Sequence, residues 1–167
     1  MTYNSTTTLN RIRQEKPCPD GWEELLAHLG KTKADDEPLS LLTVLDSNGL
    51  DDALWVLSFG MPDDRLARHF QAWCAEQVLH LFEEDRPNDT RIRDQIAMLR
   101  NDDATDAQRA ATRASAWDAA GYATRAAMAA ARDAARTAAW DATRAAAWDA
   151  ARDAQERQLR LMIGDDS

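Results

Sequence analysis

Apolar residues recur at helical spacing along most of the chain. Trp22, Leu25, Leu26 and Leu29 follow Asp20, a good N-cap, and run into Gly30, a good stop, which predicts a short helix. The charged segment Lys31 to Pro38 reads as a loop, and the apolar run Leu39 to Leu45, too short for periodicity to classify, is read as helix. Asp46, Ser47 and Asn48 offer caps before Leu50, Ala53, Leu54 and Leu57, a helix expected to stop near Gly60 with Asp51 and Asp52 favouring its dipole. Pro62 suits a first helical turn, and Leu66, Phe70, Trp73, Cys74, Gln77, Val78 and Leu81 then form an inward stripe running to about Glu84. After a turn at Asp85 to Asp89, a helix from Thr90 to Arg100 points Ile92, Ile96 and Leu99 inward. Ahead of all this, Met1 to Pro19 is polar, Thr-rich and closed by Pro17-Cys18-Pro19, and it reads as a tether or arm, ordered or frayed.

The pattern changes at about Ala104. Roughly half of the positions from there to Ala154 are alanine, and a four-residue phrase recurs that places Arg132, Arg136, Trp140, Arg144, Trp148 and Arg152 in one column. Alanine and Asp-to-Arg neighbours three or four apart both favour helix. A four-residue period turns about 400° on an α-helix, so the column drifts about 40° per step and cannot face one core along its whole length. An unbroken helix from Ala104 to Ile163 would also reach about 90 Å at about 1.5 Å per residue, so a break is expected at Gly121-Tyr122 or between Arg125 and Arg132. These readings define an all-α fold. They give a polar arm over 1–19, one multi-helix domain over 20–163 with the Ala-rich region at about 104–163, and a tail at 164–167.

Composition sharpens the function class more than the fold. In 167 residues, hydrophobic residues are 44% and charged residues 29%, values of a chain that folds. The formal net charge of −9 works against direct nucleic-acid binding, which depends on cationic neutralisation of phosphates, and favours a basic or neutral partner. With no run of about 20 apolar residues and a polar start, neither a membrane span nor a signal peptide is expected, so the reading is cytoplasmic. Cys18 and Cys74 are far apart and read as free thiols.

Catalytic candidates are sparse. His69 and His80 stand eleven apart, about 16 Å along a helix axis, too far to share a metal, and His28 belongs to another helix. Glu76 and His80 have i, i+4 spacing, but zinc needs three or four convergent ligands and no HExxH or CxxC is present. Cys74 lies on the apolar stripe with no histidine to make a dyad and reads as a small core residue. Phosphate-binding glycine motifs and the G-x-S-x-G elbow are absent as well. No cofactor, no metal and no enzymatic activity are expected. Trp117, Trp140 and Trp148 read as packing knobs between alanine helices, with one qualification: Trp and Arg are enriched at binding hot spots. If the drifting column leaves a tryptophan exposed, the partner-binding set is Trp140, Arg144, Trp148 and Arg152.

Two resemblances add a setting. The blocks Phe70-Gln-Ala-Trp-Cys-Ala-Glu-Gln-Val-Leu-His-Leu-Phe-Glu-Glu84 and Arg86-Pro-Asn-Asp-Thr-Arg-Ile-Arg-Asp-Gln-Ile96, followed by the Arg-Ala-Ala segments, resemble immunity proteins associated with bacterial toxin systems. The blocks from Pro17 to Leu26, Leu29 to Pro38 and Leu45 to Trp55 look like a group of uncharacterised phage and prophage proteins with long Ala-Trp-Asp-Ala-Ala tails. Together they cover most of the chain after residue 17. They imply an α-helical protein of bacterial or phage conflict and transfer no catalytic motif. The immunity-like proteins place histidines in their Ala-rich helices, where this chain has Arg, Asp and Trp. The resulting expectation is a non-catalytic inhibitor that occludes a toxin or a host defence protein. A self-associating phage accessory protein is the first alternative, and an enzyme with an unfamiliar helical site the second.

Overall fold

The computed structural model describes residues 3–112 and 140–164, with residue 85 and residues 140–146 described in backbone only. The architecture is all-α. In chain order it runs β1 (Thr6–Thr7), α1 (Leu9–Gln14), α2 (Pro19–His28), β2 (Leu39–Ser40), α3 (Leu41–Trp55), a π-helical turn (Val56–Gly60), α4 (Arg65–Asp85), α5 (Arg91–Arg100) and α6 (Trp140–Ile163). Residues 106–112 are also helical. The chain divides into two compact units, the first made of residues 1–67 with 156–167 and the second of residues 68–155.

Unit 1 opens with the polar arm, whose described residues are ordered. The stretch read as a tether is built into the fold, because Leu9 and Ile12 are each only 1% exposed. Thr8 caps α1, its side chain accepting from the Arg11 amide at 3.2 Å. Thr6 and Thr7 pair antiparallel with Ser40 and Leu39, and the buried Thr7 hydroxyl donates to the Gly60 carbonyl. Polar composition concealed this because the threonines make strand and cap hydrogen bonds while two apolar side chains do the burying.

The run Leu39 to Leu45 is likewise a two-residue strand before it becomes helix. Ser40 makes the switch, its Oγ accepting from the Leu42 amide at 3.2 Å. The separate helix expected after Asp46 to Asn48 is present: α3, Leu41–Trp55, is two helical segments that meet at a kink at Gly49, where the backbone leaves the helical region. There φ is 78° and ψ −173°, a conformation that is essentially glycine's alone. At the end of α2, Gly30 stops the helix as expected. The Gly30 amide donates to Ala27 and the Lys31 amide to Leu26, satisfying the last carbonyls in a Schellman arrangement. Late in the chain, α6 contributes the fully buried Leu159 to unit 1, and Arg160 donates to Asp46 at 2.7 Å and to Glu156 at 3.0 Å.

Unit 2 pairs α4 with α5. Helix α4 begins after Asp63, whose carboxylate accepts from the Arg65 amide at 3.1 Å, rather than at Pro62. Its inward face also differs from the expected one. Ala72 is fully buried and packs with Ile96 and Leu99 of α5, beside Ala75, Leu79 and Ile92. Val78 and Leu81, assigned to the core by the stripe, are 55% and 59% exposed. Leu66 and Phe70 of the expected stripe are buried, but the face that meets α5 at Ala72, Ala75 and Leu79 lies nearly on the opposite side of the helix at about 100° per residue. Small side chains at 72 and 75 let α5 come close, and closeness outweighs the larger apolar residues on the other face. Ion pairs flank the contact: Arg100 with Glu76 at 2.5 Å, and Arg93 with Glu83. The buried Arg68 donates to the Leu99 carbonyl at 2.8 Å and to Asp102 at 3.1 Å, holding the α5 C-terminus. The expected breaks at Gly121-Tyr122 and between Arg125 and Arg132 lie outside the described residues.

Candidate functional site

Two features of this fold could engage another molecule: a cavity between α2 and α3 in unit 1, and exposed apolar side chains on unit 2. The cavity begins in local sequence. Proline at Pro19 presets the first turn of α2, with Cys18, not Asp20, as the N-cap residue, and Asp20 falls in the first turn where its charge suits the dipole. Gly21, next along, permits α3 to come close. A Cβ there would lie well inside contact distance of Asp52 Oδ2 and 3.0 Å from Cys18 Sγ.

Across the cavity, α3 supplies Asn48, Asp51, Asp52 and Trp55, and α2 supplies Trp22 and Leu25. Its volume is about 210 Å³. Asn48 organises the polar end: its amide nitrogen donates to the Gly21 carbonyl at 2.7 Å and to Asp52 at 2.9 Å. The Ser47 hydroxyl donates to Asn48 Oδ1, which fixes the amide's orientation. Sequence reasoning placed Trp22 in a helix stripe and the aspartates in a first turn, and did not bring them together. The signal it could have used is Gly21, a helix-weakening residue inside a first turn, opposite Asp52.

On unit 2, the backbone of α6 carries all four residues of the expected partner-binding set. Trp148 is 67% exposed. Arg152, one turn on, is half-buried, and the side chains of Trp140 and Arg144 lie outside the described residues. Val78 and Leu81 of α4 are two further exposed apolar side chains of the same unit.

The titratable groups form no reactive constellation among the described residues, where no cluster of three or more His, Cys, Asp or Glu could hold a metal ion. Burial pushes the Cys74 thiol above its ordinary value, the direction opposite to that of an activated nucleophile. Glu76 is engaged with Arg100, not with His80, and His28 and His80 are exposed. His69 Nε2 lies 3.3 Å from Asp102 Oδ1, the same carboxylate oxygen that receives Arg68, so this pair belongs to the α4–α5 clamp. Nor is any helix among the described residues long and apolar enough to cross a membrane. No protein-family model matches the chain, and no curated protein or solved structure matches it either.

Proposed function

We propose that this chain acts without catalysis, by stoichiometric binding of a protein partner, as an immunity or anti-defence factor that occludes a toxin or a host defence protein in bacterial and phage conflict. The observation that carries the reading is Trp148, an indole 67% exposed on a helix where alanines surround it. Tryptophan is the residue type most often found at the energetic centre of protein interfaces, and small neighbours leave it standing proud of the helix surface. The acidic net charge of −9 favours a basic partner and speeds its encounter. The resemblance of the Phe70 to Ile96 blocks to immunity proteins supplies the biological setting.

The test is affinity capture of the tagged chain from its bacterial host, before and after phage infection, followed by calorimetry with the purified partner. One partner at fixed stoichiometry, bound roughly 30-fold more weakly by Trp148→Ala, is the expected result, corresponding to a hot-spot loss of about 2 kcal/mol. Recovery of nothing but further copies of this chain would overturn the reading in favour of a self-associating structural protein.

A further inference from the structure

The cavity between α2 and α3 is not used by the Trp148 surface, and its lining has a chemistry of its own. We infer that it is a receptor for a guanidinium group, the arginine side chain of a protein partner. Size comes first. At about 210 Å³ it is smaller than the roughly 300–1,000 Å³ of sites for drug-sized ligands, and it suits a single side chain.

Charge comes second. Asp52 places a half-buried carboxylate beside the aromatic and aliphatic part of the lining, the exposed Asp51 borders it too, and a cationic occupant is the kind that two carboxylates favour. An ionised carboxylate offers about four acceptor positions, of which Asn48 fills one. Shape comes third. Trp22 and Trp55 both line the cavity, and indoles attract cations through their ring faces. A guanidinium combines what these walls ask for: it is planar, stacks on aromatic rings, is weakly hydrated and presents paired N–H donors to a carboxylate. A lysine ammonium is a strongly hydrated point charge and gains less from two indoles.

The receptor is preorganised. The Ser47–Asn48–Asp52 chain of hydrogen bonds sets the carboxylate in place before any ligand arrives, and Gly21 leaves the space that the carboxylate occupies. Only the source of the guanidinium rests on the partner-binding reading; the site's chemistry does not.

The experiment is an NMR titration of the full ¹⁵N-labelled chain with N-acetyl-arginine-methylamide, against its citrulline counterpart, which has a similar shape without the charge, and against the capped lysine. Saturable shifts at the Trp22 and Trp55 indole N–H signals are expected, with citrulline and lysine each bound at least about tenfold more weakly. Asp52→Asn should lose the same factor. Gly21→Ala should abolish the shifts with the fold retained, because its methyl displaces the carboxylate while alanine favours the helix. Absence of saturable indole shifts in the folded parent chain, or equal binding of citrulline or lysine, would overturn the assignment. Failure of partner capture would leave this titration standing, and failure of the titration would leave the Trp148 surface untouched.

Discussion

The two units hide their apolar surface by different means. Unit 1 buries long aliphatic chains drawn from distant parts of the sequence, with Leu9, Ile12, Leu41, Val44, Leu66 and Leu159 all essentially removed from solvent. Unit 2 joins α4 to α5 across a small cluster of Ala72, Ile96 and Leu99, and flanks it with Arg100–Glu76, Arg93–Glu83 and the Arg68 clamp on Leu99 and Asp102. The lesson is about dependence on solvent conditions. Aliphatic contacts hold no charge for salt to screen, whereas the half-exposed ion pairs beside the α4–α5 contact do.

The contrast can be broken most severely from the unit 1 side. Leu41 is fully buried, and Leu41→Ala should lower stability by about 3 to 4 kcal/mol in urea unfolding, through lost burial and a cavity that rigid neighbours cannot refill. A loss below about 1 kcal/mol would mean that this interior collapses to fill space and is not the tightly packed one described. At the α4–α5 contact of unit 2 the sensitive residue is a polar one. Arg68→Met, which keeps much of the stem but removes both donations, should cost about 2 kcal/mol by the same measurement, because the Leu99 carbonyl loses its side-chain partner. Glu76 and Arg100, both partly solvated, should show a coupling under about 1 kcal/mol in a double-mutant cycle, and the coupling should shrink further in 1 M salt.

The smallest effect is a titration at the turn leading into α5. The Arg91 guanidinium hydrogen-bonds Asp89 through Nε at 2.9 Å and Nη2 at 2.5 Å, and holds its carboxyl down to about 2, from an ordinary 3.8. A depressed folded-state value means that this group's contribution to stability is present above the ordinary carboxyl pKa and is lost as pH falls from about 4 towards 2. Carbon-detected NMR titration should find the Asp89 midpoint near 2, returning towards 3.8 in Arg91→Gln. An unchanged midpoint in that variant would remove Arg91 as the cause.

How much of this was legible beforehand depends on which signal each residue emits. Helix identity came through clearly where caps and stops are chemical, as at Gly30, and where periodicity is long, as in α4 and α5. The facing of α4 did not, because periodicity weighs side chains by size, and a neighbour's close approach is decided by the smallest ones, here Ala72 and Ala75. The short strands were invisible for another reason: two threonines pairing with Leu39 and Ser40 leave no alternation long enough to detect. For the candidate site, Trp148 reads first as a packing knob, and the drift of a four-residue repeat on a 3.6-residue helix only allows one tryptophan to be left outside; its 67% exposure is the structure's contribution. The α2–α3 cavity was not legible, because nothing local says that residues 22 and 55 line one hollow.

The return of α6 to unit 1 has a consequence in time. A ribosome delivering roughly 5 to 20 residues per second adds Arg160 some 6 to 23 seconds after Asp46, its partner 114 residues upstream. During that interval the first sixty-odd residues have emerged, yet the side chain of Leu159, which ends up wholly buried, does not exist. Unit 1 is therefore completed only once α6 has been made, and for those seconds its aliphatic interior lacks a side chain that closes it.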